Sequence, residues 1–177
     1  MHTRHRHRRT TTILLAVLAL LATTAAAPVS ADPGHHLSDL QRQVDAYLAA
    51  HPGGLQIGTT EISYAGGTFV VTLAPPAGTL AGPDCPTGWF CFYDGVNYTY
   101  PRGKLSSCGW QDLAWWGWQN RTESVHYAMS SGTVWFISHG GSNHSGDLAL
   151  FDIDTSRRAR PDVSPHRNIA DHVYRFC

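Results

Sequence analysis

The 177-residue sequence predicts an all-β fold, cross-linked by disulfides and preceded by a short helix and hairpin. Three observations on residues 85–177 support this prediction. The region is rich in aromatic and turn-forming residues and has no apolar stripe at helical spacing, and it carries a weak internal repeat. All four cysteines of the chain also lie within it.

The first 31 residues have the pattern of a signal peptide. Four arginines and no acidic residue precede the apolar run Ile13–Leu21, and a stretch of small residues then ends at Ala31. We expect cleavage before Asp32 and a secreted, extracellular protein. No later apolar run approaches the roughly 18–20 residues of a membrane helix, so we expect no membrane contact after cleavage.

The charge of the remaining chain argues against nucleic acid as a partner. Without the four arginines of the signal peptide, nine Lys and Arg residues face 13 Asp and Glu residues, a net charge of −4. The basic cluster Arg157–Arg160 is short, whereas a nucleic-acid-binding face needs many clustered basic residues. We therefore expect no nucleic-acid partner.

An even number of cysteines in an exported chain predicts two disulfides. Four cysteines allow three pairings, and spacing alone does not choose between them. The turn residues between Cys85 and Cys91 favour a bond between these two, which would leave Cys108 to pair with Cys177. We expect all four to be structural.

Residues 32–84 predict a helix and a hairpin in front of the β region. Ser38–Gln41 has the pattern of a capping box, followed by apolar residues at helical spacing up to Leu48. Glu61–Tyr64 and Thr68–Leu73 flank the turn residues of Ala65–Gly67, which is typical of a β-hairpin. So small a segment buries little surface alone, so we expect it to pack on residues 85–177.

The internal repeat predicts the arrangement of strands in the second region. Segments 92–125 and 136–173 each begin with an aromatic residue, continue through turn residues and end on a polar run before a valine. When Val125 is aligned with Val173, Asn120 matches Asn168. Two repeats of this length, built from short strands, predict two four-stranded Greek keys packed as a sandwich.

Several motifs of residues 85–177 occur in the same order in a known family. Cys85-Pro-x-Gly-x-x-Cys91 leads into an aromatic strand with Tyr93-Asp94 and Asn97-Tyr98, and Trp116-Gly-Trp-Gln-Asn120 and Ser124-Val125 follow. This pattern resembles the βγ-crystallin fold and, within it, the Streptomyces metalloproteinase inhibitor-like family of secreted actinobacterial peptidase inhibitors. The chain departs from the family pattern with Tyr100 in place of a glycine, His144 in place of an aromatic residue and His172 in place of a serine.

The resemblance implies an inhibitor of extracellular peptidases, most directly metallopeptidases, that works without a cofactor and as a monomer. Such an inhibitor occupies the peptidase cleft with a rigid, disulfide-supported loop that loses little entropy on binding. No motif of the family's reactive bond is found here, so the loop must be chosen on physical grounds. One candidate is the Cys85–Cys91 turn and the other is Ser138–Asp147. The residues of the second that we consider inhibitory are Ser138, His139, Gly140, Gly141, Ser142, Asn143 and His144.

A binding or antimicrobial module is the alternative function. The fold also hosts modules that recognise glycan or cell wall, including toxins of the killer type. Trp115 cannot share a strand face with Trp116 and Trp118, so at least one of the three is expected to be exposed. Trp115 is the aromatic residue that we expect to contact such a ligand.

Metal binding and catalysis are not expected from the motifs. Crystallin-like calcium sites would fall on Asn120, Glu123, Asn168 and Asp171, but Gln119 and Arg167 disrupt the first position of each site. The eight histidines after the signal peptide, among them His139 and His144, have no zinc-ligand spacing. There is also no Gly-x-Ser-x-Gly elbow and no phosphate-binding glycine loop, so we expect no enzyme.

Overall fold

The computed structural model of the protein describes residues 33–79 and 82–177. The predicted signal peptide lies outside the described residues. Within these residues the chain forms one α-helix, four short 3-10 helices and two antiparallel sheets that belong to one compact unit. This architecture confirms the all-β prediction. In the described part of the chain, no helix is both long and apolar enough to cross a membrane.

Helix α1 spans Pro33–Ala50, so its start at the Ser38 capping box was predicted wrongly. Proline suits the first turn of a helix because its fixed φ is helical and it lacks an amide that would have no partner there. The predicted apolar stripe faces the core. Val44 is completely buried, and Tyr47 and Leu48 pack against the core from the helix.

Eleven strands follow the helix. They are β1 (Leu55–Gln56), β2 (Glu61–Tyr64), β3 (Phe69–Thr72), β4 (Phe90–Tyr93), β5 (Arg102–Leu105), β6 (Gly109–Asp112), β7 (Ser124–Tyr127), β8 (Thr133–Ser138), β9 (Leu148–Asp154), β10 (Ala159–Arg160) and β11 (His172–Phe176). Sheet 1 has the spatial order β1-β2-β3-β5-β4-β7-β10. Sheet 2 has the order β6-β11-β8-β9.

The N-terminal hairpin is part of sheet 1. Strands β2 and β3 pair antiparallel as predicted, and β3 then pairs with β5 across the predicted boundary at residue 84. Phe69 of β3 is completely buried, and its ring stacks on Trp116 with 4.6 Å between ring centroids. The N-terminal hairpin therefore packs on residues 85–177, as expected, and it shares both a sheet and a core with them.

The two sheets exchange strands. Strand β6 follows β5 in the chain but lies at the edge of sheet 2, and β10 follows β9 but lies at the edge of sheet 1. Sheet 1 therefore combines β4, β5 and β7 of the first repeat with β10 of the second. Sheet 2 combines β8, β9 and β11 of the second repeat with β6 of the first. The two repeats are interlocked.

Equivalent positions of the repeats make reciprocal hydrogen bonds. The amide of Asn120 donates to the carbonyl of Ala170 at 2.8 Å, and the amide of Asn168 donates to the carbonyl of Thr122 at 3.0 Å. Both asparagines have a φ of 55°, a left-handed conformation that asparagine tolerates well. These pairs agree with the alignment of Asn120 on Asn168 in the sequence.

The core lies between the two sheets and is largely aromatic. Phe92 of sheet 1 meets Phe136 of sheet 2 edge to face, with ring centroids 6.1 Å apart. Trp118, which is fully buried, contacts Phe92 in the same way at 5.3 Å. Gly103 of β5 makes room for Phe92, because a Cβ atom on it would lie 2.3 Å from the phenylalanine ring.

A buried ion pair fixes Asp84, the residue before the first cysteine, to sheet 1. Arg102 of β5 has a side chain that is 4% exposed, and its Nη1 lies 2.9 Å from the carboxylate of Asp84. The hydroxyl groups of Tyr93 and Tyr100 also donate to this carboxylate. Burial alone would raise the pKa of Asp84, but the bonds from Tyr100 and Tyr93 and the Arg102 charge lower it below its ordinary value.

Two disulfides cross-link the C-terminal region, and none of the described cysteines is free. The structure joins Cys85 to Cys91 and Cys108 to Cys177, the pairing that the turn residues favoured. Disulfides are typical of proteins that fold in oxidising compartments.

Candidate functional site

The loop between β8 and β9, residues 138–147, is closed at its base by two glycines. A Cβ atom on Gly140 would lie 2.5 Å from the carbonyl oxygen of Gly146, and one on Gly146 would lie 2.8 Å from the carbonyl oxygen of Gly140. Only residues without a side chain allow this approach of the two backbones. The loop therefore has a narrow neck, which brings His139 and Asp147 together.

Carboxylates hold the neck of loop 138–147. One oxygen of Asp147 lies 2.5 Å from Nδ1 of His139 and accepts a hydrogen bond from the amide of Gly140 at 3.3 Å. Asp171, just before β11, accepts a hydrogen bond from the amide of His139 at 2.8 Å. The loop is thus tied both to itself and to the neighbouring strand.

Three histidines surround the indole ring of Trp110 beside this neck. The ring centroid of Trp110 lies 4.0 Å from that of His144, 4.7 Å from that of His172 and 5.8 Å from that of His139. His144 reaches back from the loop tip, and its Nδ1 lies 3.3 Å from the second oxygen of Asp147. We call His139, His144, His172 and Asp147 the histidine cluster.

The histidine cluster lies in an acidic environment. Nδ1 of His172 is 2.8 Å from the carboxylate of Asp171, and its Nε2 is 3.7 Å from that of Asp112. For Asp147, desolvation acts to raise the pKa, but the bonds from His139 and from the Gly140 amide and the charges of the nearby histidines lower it below its ordinary value. Asp147 is therefore ionised at neutral pH.

The donor atoms of His139, His144 and Asp147 all lie within 4.8 Å of one another, so one metal ion can meet all three. The sequence predicted no metal site, because the residues lack a familiar ligand spacing and meet only when the loop closes. The available signal was that His144 and His172 stand where the crystallin-like pattern that the sequence resembles has other residues.

A row of aromatic side chains crosses the outer face of sheet 2. Tyr174 of β11 lies opposite Trp110 of β6 on one side and opposite Trp135 of β8 on the other. Phe176 extends the row, with its ring centroid 5.3 Å from that of Trp135. Trp135 and Phe176 are 42% and 46% exposed. We call Trp110, Trp135, Tyr174 and Phe176 the aromatic row. Sequence reasoning missed it because its members come from three strands.

Trp115, the tryptophan predicted to contact a ligand, does not belong to the aromatic row. It lies in the turn after β6. Trp115 is 64% exposed, whereas Trp116 and Trp118 are buried. The expectation that one of the three is exposed is confirmed. The ring centroid of Trp115 lies 5.8 Å from that of Trp116.

The other loop candidate, the Cys85–Cys91 turn, is also fixed. Its disulfide closes it, and the amide of Gly88 donates to the carbonyl of Ala128 at 2.9 Å. Residues 86–88 are exposed. Both loop candidates therefore present exposed residues on a restrained backbone.

The four residues considered for calcium make contacts within the protein. The side-chain amide of Asn168 donates to the carboxylate of Glu123 at 2.7 Å, which links the two repeats. The carboxylate of Asp171 holds His139 and His172, and Asn120 binds the other repeat through its backbone amide. These contacts give all four a structural role.

Comparison with known proteins adds no family to these observations. No protein-family model, no curated protein and no solved structure matches the chain. The class that the fold defines is a mostly β protein of two antiparallel sheets with two disulfides.

Proposed function

We propose that this is a secreted, monomeric inhibitor of extracellular peptidases, built on a βγ-crystallin-like pair of Greek keys. The strand order supports the Greek keys, because in each repeat the fourth strand returns to lie beside the first. Thus β7 lies beside β4, and β11 lies beside β8. The motifs from Cys85 to Val125 support the peptidase-inhibitor class, and metallopeptidases are the first target to test.

The observation that carries this proposal is the restraint of loop 138–147. Its neck is closed by Gly140 and Gly146 and held by two carboxylates, while Asn143 and His144 at its tip are exposed. A loop that is already ordered loses little conformational entropy when a peptidase cleft closes on it. A restrained, exposed loop is what tight inhibition requires.

Titration of a peptidase panel tests the proposal. The untagged chain 32–177 is added to secreted metallopeptidases of the thermolysin type and to serine peptidases, and residual activity is measured. We expect one of the metallopeptidases to lose activity at close to one equivalent of protein. Failure to inhibit any member of the panel at a tenfold molar excess would reject the function.

A charge at the loop tip tests where the inhibitor binds. Asn143→Asp keeps the size of the side chain and suits the φ of 61°. We expect at least tenfold weaker inhibition, because a carboxylate without a partner would be desolvated in the complex. The matched control is Asn97→Asp in the equivalent turn of the first repeat, where φ is 53°. Equal inhibition constants for the two variants would exclude loop 138–147, and the Cys85–Cys91 turn would be tested next.

The aromatic row supports a second candidate function, a module that binds cell-wall glycan. Sugar rings stack on exposed indole faces, and a partly exposed row of four aromatic residues is an apolar surface of the kind that marks binding sites. Asp152, opposite Trp135 in β9, places a carboxylate that is paired with Arg157 at the edge of this surface. The glycan would lie across sheet 2.

Retention on insoluble cell-wall glycan separates this candidate from the inhibitor. We expect Trp135→Ala to reduce retention at least tenfold and Trp115→Ala to leave it unchanged. Loss of retention in Trp115→Ala alone would place the glycan at the turn after β6 instead. A wild-type chain that is not retained would exclude glycan binding.

A further inference from the structure

We propose that His139, His144 and Asp147 form a zinc-binding site at the neck of loop 138–147. The three residues provide two imidazole nitrogens and one carboxylate, which is a donor set that zinc accepts, with a fourth position left for water or another ligand. All three lie within one hairpin loop. The proposal is independent of the proposed function, because it concerns the loop itself and not its target.

The positions of the donor atoms are close to what zinc requires. With bonds of about 2.0–2.1 Å in tetrahedral geometry, two donors on the same ion lie roughly 3.3–3.4 Å apart. Nδ1 of His144 lies 3.3 Å from one oxygen of Asp147, and Nδ1 of His139 lies 2.5 Å from the other. These two distances end on different oxygens of Asp147. The ion is therefore admitted by side-chain rotations that bring one of these oxygens and both nitrogens, which already lie within 4.8 Å of one another, to this spacing.

The surroundings hold the ligands in place. The amide of Gly140 donates to Asp147, and the carboxylate of Asp171 holds the backbone of His139. Trp110 packs against the ring of His144 and covers one side of the site. Hydrogen bonds and apolar contacts of this kind orient metal ligands and limit the access of water.

The donor set favours zinc over the hard cations. Calcium takes six to eight oxygen ligands, and magnesium prefers oxygen ligands in octahedral geometry, whereas two of the three donors here are imidazole nitrogens. Zinc would cross-link the exposed tip of the loop, through His144, to its neck, through His139 and Asp147. The loop would then carry a metal cross-link in addition to its hydrogen bonds.

Calorimetric titration of the untagged, disulfide-bonded chain 32–177 with zinc chloride tests the site. We expect one zinc ion per chain and a melting temperature that rises with zinc. His144→Asn, which suits the φ of 59°, and Asp147→Asn should each weaken binding at least tenfold and abolish the zinc-dependent shift. Circular dichroism of both variants without zinc establishes that the fold is intact.

Histidines outside the loop provide the controls. His35 and His36 are adjacent near the expected N-terminus, so the double variant His35→Ala/His36→Ala tests whether zinc binds there. We expect this variant and His166→Ala to bind zinc like the wild type. The proposal is rejected if the wild type binds no zinc, if the double variant abolishes binding, or if His144→Asn and Asp147→Asn both retain wild-type affinity.

Discussion

Arg102 is accommodated inside sheet 1 by partners on several sides. Its guanidinium donates to the hydroxyl of Thr72 at 3.1 Å and to the carbonyl of Asp84 at 3.0 Å, and it pairs with the Asp84 carboxylate. The carboxylate of Glu61 lies further away, at 3.9 Å. Removing the charge of Asp84 would leave a buried cation with one distant counter-charge.

We expect Asp84→Asn to lower the free energy of unfolding by about 2–4 kcal/mol, because breaking a buried ion pair leaves the other charge uncompensated. Urea denaturation at pH 7 measures this loss. Asp39→Asn on α1 serves as the control. Because Asp39 is exposed, this substitution should change stability little.

The pH dependence of stability gives a second measurement on Asp84→Asn. Because the folded protein lowers the pKa of Asp84, its contribution is present above the unfolded value of about 4 and is lost as the pH falls through the folded pKa. The variant should therefore lose less stability than the wild type between pH 5 and pH 2. Equal losses would contradict this role for Asp84.

Strand β3 is the element that joins the N-terminal hairpin to the rest of the protein. It pairs with β2 on one side and β5 on the other, and all four of its side chains are buried. Phe69 lies within 6.2 Å, between ring centroids, of Phe92, Trp116 and Trp118. The hairpin therefore contributes to the core as well as to the edge of the sheet.

We expect Phe69→Ala to cost about 3–5 kcal/mol of unfolding free energy, the usual range for truncating a large buried aromatic side chain. Thermal denaturation followed by circular dichroism measures it. Leu55→Ala in β1 is the matched control, because Leu55 is 68% exposed and its truncation should cost little. A loss below 1 kcal/mol for Phe69→Ala would indicate that the hairpin is only weakly packed.

Local sequence patterns predicted the elements that form mainly through residues close together in the chain. The hairpin β2–β3 was predicted from its turn glycines, and helix α1 from its apolar stripe. The first residue of the helix was not predicted correctly, because Pro33 and the Ser38 capping box are both typical of a helix start. The pairing of β3 with β5 joins residues that are 30 (Thr72 and Arg102) to 36 (Phe69 and Leu105) positions apart, and no local pattern specifies such a partner.

The two disulfides restrain the whole molecule unequally. Cys85–Cys91 closes a loop with a sequence separation of 6, and Cys108–Cys177 joins residues separated by 69 positions. In the chain-entropy model, the destabilisation on removing a bond grows with the logarithm of the loop it closes.

We expect Cys108→Ser/Cys177→Ser to lower the free energy of unfolding by about 4 kcal/mol and Cys85→Ser/Cys91→Ser by about 2 kcal/mol. Denaturant midpoints of the two double variants, each with the other bond intact, provide the comparison. The reverse order would show that the short bond acts mainly on the folded state.

The candidate site was predicted only in part. Loop 138–147 was identified from its glycines and polar residues, and its position between strands agrees with the structure. The histidine cluster was not predicted, because His144 and His172 meet beside Trp110 only through the pairing of β6 with β11 and the closure of the loop. Contacts that depend on strand order cannot be read from spacing along the chain.

The exchange of β6 and β10 constrains how the chain reaches its native state. Until Ala159–Arg160 has joined β7, sheet 1 lacks its last strand, and β6 gains its partner only when β11 is present. A growing chain can therefore complete neither sheet before nearly all of its residues are available. We expect folding to be late, slow and all-or-none, as is typical of topologies that close long loops before they gain contacts.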